Sequence, residues 1–405
     1  MNPGARRNQR VITGLERLLE EGPGCAGLRN GARVGLVVHP ASVNRDLVHA
    51  ADLISSGSDL RVERLFGPEH GVRGEAQDME PVAGSVDTET GLPVSSLYGS
   101  DADSLRPRPE EIEALDAVVY DLQDVGSRYY TFVYTLSHVM EVARDVGRPI
   151  VVLDRPNPIG GREVEGPVLD PALTSFVGRY PIPARHGMTT AELARLFNDR
   201  HRIGCELRTV TMHGWTRSMQ FEDTGLPWVA PSPNMPTADT ARVYPGGCLI
   251  EGTNLSEGRG TTRPFELVGA PWMAGRELAE ALGAARLAGA RFRATSFRPM
   301  FHKHAGATCR GIQVHVVDRD AFRPFGTYLA ILTHARRLAG HAFEWRREAY
   351  EFETERLAID LLLGRADLRS QIEAAVPLED MERSWSVELR AFRKLRERFL
   401  LYADR

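Results

Sequence analysis

The chain has 405 residues, 42% apolar and 26% charged, an ordinary globular composition on a chain long enough for two domains. A formal charge of −4 argues against a general nucleic-acid binder, and no apolar run is long enough to span a membrane. Four scattered cysteines without a C-x-x-C spacing spell neither a disulfide framework nor a zinc knuckle.

The opening residues Met1 to Arg10 carry charge, but no apolar segment follows them, so no export signal is expected. As it stands the sequence reads as cytoplasmic; a periplasmic or secreted chain trimmed of its signal would look the same. All but Lys303 and Lys394 of the 50 basic residues are arginine, a bias that a GC-rich genome explains more simply than function does.

From residue 33 the pattern alternates between strand and helix. Residues 33–39, 61–66, 117–121 and 149–154 are short apolar runs bounded by Gly and Pro. Such runs suit strands covered on both faces of a parallel sheet. Between the last two, Phe132, Leu136, Val139, Met140 and Ala143 recur at helical spacing over 131–146. The rhythm predicts βαβ units and an open, doubly wound α/β sheet. Thr189 and Glu192 form a capping box that opens a helix to Arg200. The expected division is a first domain over 1–203 and a smaller α/β or α+β domain over 204–405. In the second, 205–212 and 312–317 read as strands, and 276–288 and 322–338 as helices. The Pro- and Gly-rich stretch 225–247 reads as long loops. Trp385, Leu389, Phe392, Leu395 and Phe399 make a closing helical stripe.

Three of the early strands run into polar loops: Gly67-Pro-Glu-His-Gly71, Leu122-Gln-Asp-Val-Gly126 and Arg155-Pro-Asn-Pro158. Ligands of open α/β sheets sit beyond the carboxyl ends of the strands, so these loops are expected to share one crevice. Glu69 and His70 form a carboxylate–imidazole pair suited to acid–base work, or a strand-end salt bridge. Glu75, Asp78 and Glu80 follow and offer a second carboxylate or a solvated loop face. Asp121 ends an apolar strand and needs a partner, either a ligand or the Ser127–Arg128 turn. Gln123 shares its side of the chain, and Asp124, Arg128 and Tyr129 follow. Arg155 and Asn157 are held stiffly between prolines, which suits anion recognition or a rigid corner. His186 stands before the capped helix, either toward a ligand or as packing. Asn234 in Ser232-Pro-Asn-Met-Pro236, and Glu257 and Arg259 in the Gly-punctuated segment from Glu251, are further polar candidates. That segment lacks the lysine of a phosphate-binding loop. There is no H-E-x-x-H spacing, so a metal site would require His70, His186, His213, His302, His304 and His315 to meet in space. No G-x-S-x-G elbow is present.

Together these loops resemble the signature segments of the bacterial exo-β-N-acetylmuramidases. The resemblance rests on Phe66 to Gly74, Thr90 to Gly99, Asp121 to Thr131, Leu153 to Pro158, Pro183 to Thr189, Ser232 to Pro236 and Glu257 to Phe265, in that order. It departs at His39-Pro-Ala-Ser-Val-Asn44, where relatives often carry an Asn-Gln-Thr-Gly type loop. The resemblance implies a Rossmann-like domain, a smaller α/β domain closing a cleft, and no cofactor. It implies release of N-acetylmuramic acid from the non-reducing end of peptidoglycan-derived oligosaccharides or muropeptides. Glu69 then becomes the expected general acid, its pKa raised by burial. His70, Asp121, Gln123, Asp124, Arg128, Arg155, Asn157, Glu165 and His186 would line the pocket. Asp121 or Glu165 would be base or nucleophile, unless the substrate's acetamido group attacks with Asp121 or Asp124 polarising it. Arg155 or Arg128 would read the lactyl carboxylate that sets muramic acid apart. A non-catalytic muropeptide-binding protein and a hydrolase of an amide or phosphoester bond are the rival readings.

Overall fold

The computed structural model describes residues 10–74, 85–99 and 101–404. Glu75, Asp78 and Glu80 lie outside the described residues, as do residues 1–9. The chain starts with α1 (Gly14–Glu21), opened by a Thr13/Glu16 capping box that the sequence reading passes over. There follow β1 (Arg33–Val38), α2 (Ala50–Gly57), β2 (Arg61–Gly67), the two-residue β3 (Ser85–Val86), β4 (Pro93–Ser96) and α3 (Pro109–Glu113). Next come β5 (Ala117–Asp121), α4 (Phe132–Asp145) and β6 (Ile150–Leu153), then the paired β7 (Glu165–Val168) and β8 (Pro183–Arg185), α5 (Thr190–Arg200) and β9 (Leu207–Val210).

These strands build a seven-stranded sheet in the order β3-β4-β2-β1-β5-β6-β9. All of its strands are parallel except the edge strand β3. Every residue of β5 and β6 is buried, as the apolar runs predict for strands covered on both faces. Val118, Tyr120 and Val152 pack with α4 and α5, whereas Leu36, Val119 and Val151 pack with Leu15, Leu18 and Ile54 of α1 and α2. Each such side chain contributes about 1.5–3 kcal/mol of burial.

The second half comprises α6 (Ala238–Gly247), β10 (Leu267–Ala270), α7 (Gly275–Ala284), β11 (Ala290–Phe297), β12 (Cys309–Val316) and α8 (Pro324–Ala339). It closes with α9 (Ala358–Leu363), α10 (Leu368–Glu373), α11 (Leu378–Ser384) and α12 (Ser386–Arg396). Its sheet is three-stranded and antiparallel, β10-β12-β11.

Two expectations need correction. β9 hydrogen-bonds in parallel register to β6, so a strand placed after the expected break at 203 belongs to the first sheet. The loops expected over 225–247 include the helix α6, with Pro245 inside it. Its Gly246 and Gly247 are packing glycines rather than turn signals. A Cβ on the first would collide with the Pro324 carbonyl of α8, and one on the second would come within 2.8 Å of Phe265.

The C-terminal segment returns to the first sheet. Arg396 donates to the carbonyls of Gly161 (2.9 Å) and Gly187 (2.7 Å), and the Tyr402 hydroxyl donates to Asp154 at 2.6 Å. The chain's two halves are thereby tied together.

Candidate active site

β2 ends at Gly67, and the next three residues swing Glu69 and His70 inward. His70 holds a left-handed φ of +73°, a conformation that costs a non-glycine residue energy and that clusters at functional sites. Glu69 is only 7% exposed. Thr131 sits at the start of α4 but does not cap it; its hydroxyl donates to Glu69 Oε2 at 3.0 Å. Tyr129 and Tyr130, just before α4, face the same pocket, and so does Asn234 from the loop ahead of α6. Among the described residues, the Tyr129 and Tyr130 hydroxyls and Asn234 Nδ2 make no hydrogen bond although all three are buried. Buried polar atoms in native proteins are nearly always paired, so these are groups for a ligand to satisfy.

The far wall of the pocket comes from the second half of the chain. Glu251, in the turn after α6, accepts from Arg259 at 2.7 Å and from the Tyr350 hydroxyl at 2.7 Å. Burial pushes the Glu251 carboxyl up, but Arg259, Tyr350 and Lys303 outweigh it and hold the group below the ordinary carboxylate range. Glu251 is therefore a carboxylate at neutral pH. Two further lining residues, Phe265 and Glu351, also hold positive φ, +65° and +47°. Glu351 accepts from the Tyr98 hydroxyl at 3.3 Å. Glu251, Tyr350 and Glu351 are absent from the sequence-derived set of site residues. Glu251 opens the polar segment noted there, but nothing in the spacing brings Tyr350 to it.

Several expected site residues lie outside that pocket; Asp121, Gln123, Arg155 and Asn157 are engaged with protein partners, whereas Asp124 Oδ1, Arg128 Nε, Glu165 Oε2 and His186 Nε2 make no hydrogen bond among the described residues. Asp121 and Arg155 form a buried bidentate pair at 2.6 and 2.7 Å, and the Arg155 guanidinium also donates to the Val43 carbonyl. Gln123 donates to the Asp124 and Pro156 carbonyls, and Asn157 bridges Met188 and Ile159. Arg128 is fully buried and donates to the Leu361 and Leu362 carbonyls at the end of α9. Neither Arg155 nor Arg128 lines the Glu69 pocket. Asp124 accepts from the Gly126 amide and faces His186 Nε2 at 3.4 Å, while His186 Nδ1 accepts from the Met188 amide. Glu165 accepts the Gly326 amide of α8, and burial pushes its carboxyl up to about 7. It lies outside the Glu69 pocket, and its second carboxylate oxygen is buried without a hydrogen bond among the described residues.

The loops do converge beyond the strand ends, but into two places. Gln123 and Arg155 line a small crevice with Ala41 and Trp228, apart from the Glu69 pocket. His39 follows β1, beside the point between β1 and β5 where the strand order reverses. Its ring accepts from the Gln123 amide at 3.1 Å, contacts the Ser42 hydroxyl, and packs edge-on against Phe132. No group of three or more His, Cys, Asp or Glu side chains among the described residues is placed to hold a metal ion.

Comparison with known proteins agrees with this architecture. The models of the N-terminal and C-terminal domains of the exo-β-N-acetylmuramidase NamZ match residues 34–239 and 242–402. The chain belongs to the exo-β-N-acetylmuramidase family. A family member from Bacillus subtilis (strain 168), the peptidoglycan β-N-acetylmuramidase NamZ, is 44% identical over 396 residues, covering 98% of this chain and 92% of that protein. Two crystal structures of DUF1343 family proteins from Bacteroides fragilis NCTC 9343 share the fold. One superposes with a TM-score of 0.87 at 32% identity, covering 97% of this chain and 99% of that one. The other has a TM-score of 0.76 at 27% identity, covering 98% and 99%. In this family frame, the Pro-Glu-His-Gly loop of the first domain and the Glu251–Arg259 segment of the second meet in one pocket.

Proposed function

We infer that the chain is an exo-acting glycoside hydrolase that releases N-acetylmuramic acid from the non-reducing end of peptidoglycan fragments. Family membership over nearly the whole chain carries the reaction class. The buried Glu69, facing an ionised Glu251 across an aromatic pocket, supports the chemistry. Glycoside cleavage needs an acid at the leaving oxygen and a second group that stabilises the oxocarbenium-like centre. Glu69 is the acid, positioned by the Thr131 hydroxyl. Glu251 is the second carboxylate, in place of Asp121 and Glu165. It acts either on the sugar's anomeric centre or on the acetamido group that attacks it. Arg259 and Tyr350 keep Glu251 charged, as that second role requires.

Muramic acid carries a lactyl carboxylate that N-acetylglucosamine lacks. Arg259 is the arginine lining the Glu69 pocket, and we assign it the reading of that group. The test is hydrolysis of para-nitrophenyl β-N-acetylmuramic acid beside its β-N-acetylglucosamine analogue, for wild type and Glu69→Gln. Release from the muramyl compound alone, lost in the variant, is expected. No release from either by folded protein would overturn the reading in favour of a muropeptide-binding protein or a hydrolase of another bond.

A further inference from the structure

Only Lys303 and Lys394 of the 50 basic residues are lysine, and Lys394 is exposed on α12. Lys303 is placed quite differently: its side chain is 21% exposed, and its ammonium meets three acceptors. It donates to the carbonyls of Ile250 and Thr253, both at 3.0 Å, and lies 2.7 Å from Glu257 Oε2. Acceptors converging on one point suit a compact ammonium with three donors. They do not suit the planar guanidinium that the chain uses almost everywhere else.

The loop that carries Lys303 joins β11 to β12 over 298–308 and lies against the segment 250–260. The Met300 amide donates to the Gly260 carbonyl at 3.0 Å, and His304 Nε2 to the Asn254 carbonyl at 2.7 Å. The approach is close: a Cβ on Gly260 would come within 2.7 Å of the Met300 and Phe301 amide nitrogens. His302 and His304, on either side of Lys303, hold left-handed φ of +62° and +59°. Such conformations persist where the surrounding structure over-determines them. The loop is thus a clamp on the segment that supplies Glu251, Glu257 and Arg259.

Charges alternate along that segment. Lys303 meets Glu257, Glu257 Oε1 lies 3.6 Å from Arg259 Nε, and Arg259 Nη2 donates to Glu251 at 2.7 Å. Glu257 is 1% exposed, so removing Lys303 leaves a buried charge with Arg259 as the cation beside it. Arg259 would then be shared between two carboxylates. Lys303 itself does not line the Glu69 pocket, so its effect on the reaction passes through these neighbours. Resting on the activity inferred above, we propose that Lys303 is a positioning residue for the reaction: by meeting Glu257 and pinning the turn 250–253, it leaves Arg259 to Glu251 and the substrate.

The test reads the acid limb of the kcat/KM–pH profile on para-nitrophenyl β-N-acetylmuramic acid, where the second carboxylate of the free enzyme must be ionised. Lys303→Met is expected to move that limb up by about one pH unit and to lower kcat about 10–100-fold. Adding Glu257→Gln removes the charge that draws on Arg259. The double variant is expected to return the limb to its wild-type position and kcat to within about tenfold of wild type. Lys303→Arg keeps the charge and therefore the limb, but loses about tenfold in kcat because its fork cannot reach all three acceptors from one point. A lysine that only holds the fold would lower the melting temperature and leave the limb in place. An unmoved limb in folded Lys303→Met, or a double variant no better than the single, overturns the proposal. Should Lys303→Met not fold, Lys303→Arg decides: a displaced limb or an undiminished kcat overturns it. No hydrolysis by wild type marks the different failure, that of the activity itself, and takes the positioning role with it.

Discussion

Two places at the carboxyl end of the large sheet are built from the same kinds of residue, and they differ in what is left over. In the crevice of Asp121, Gln123 and Arg155, both carboxylate oxygens, the side-chain amide and most guanidinium N–H groups are committed to protein partners. In the pocket of Glu69, buried hydroxyls and an amide nitrogen have no partner among the described residues, and three lining residues hold positive φ. The first arrangement is what a folded core requires of buried polar groups. The second leaves groups for a partner arriving from outside. Residue type alone does not separate a site from a rigid corner.

The sharpest way to break this contrast is at Glu69. Glu69→Gln is expected to lower kcat by about 10²–10⁴-fold, the usual contribution of a positioned general acid, with a melting temperature near that of wild type. A large loss of stability with retained kcat would place Glu69 among the committed groups.

Arg155→Met tests the other side. It strands a buried Asp121, so urea unfolding is expected to show a loss of about 3–5 kcal/mol. The molecules that stay folded should keep their preference for muramyl over glucosaminyl substrates. A raised KM and lost preference at full stability would return the lactyl-reading role to Arg155.

Arg259→Met is expected to reduce the muramyl-to-glucosaminyl ratio of kcat/KM by about 10–100-fold, the range for one charge-assisted hydrogen bond. A ratio that does not move would leave Arg259 as a partner of Glu251 only.

The smallest effect belongs to Glu165. Its folded-state value of about 7 lies above the ordinary 4.5, because burial outweighs the Gly326 amide. Between those values the folded state keeps a proton that the unfolded chain has released. Stability from this group is thus full below about pH 4.5 and is lost as pH rises through 7. Glu165→Gln should flatten that slope, gain about 1–2 kcal/mol at pH 8 relative to wild type, and leave kcat unchanged. Loss of kcat would restore Glu165 as a catalytic candidate.

Much of the first domain is legible from local pattern. The four apolar runs are strands within a residue or two, and the Thr189/Glu192 box does open α5. Glu69 and His70 of the Pro-Glu-His-Gly loop, Tyr129, Asn234 and Arg259 line one pocket. What local pattern does not show depends on distant segments. Gly246 and Gly247 look like a turn because their purpose, room for α8 and Phe265, lies in distant segments. Asp121 and Arg155 look available because their partnership spans 34 residues. Tyr350 lies 99 residues from Glu251, and no spacing rule links them.

The sequence by itself determined the strands, the helix caps and the polar loops at the strand ends, because these depend on neighbours a few residues apart. Only the tertiary structure decided which of those polar groups stay open to a substrate. Desolvation and pairing are set by contacts between segments far apart in the chain, and a buried charge becomes structural or functional according to whether another part of the fold has already met it.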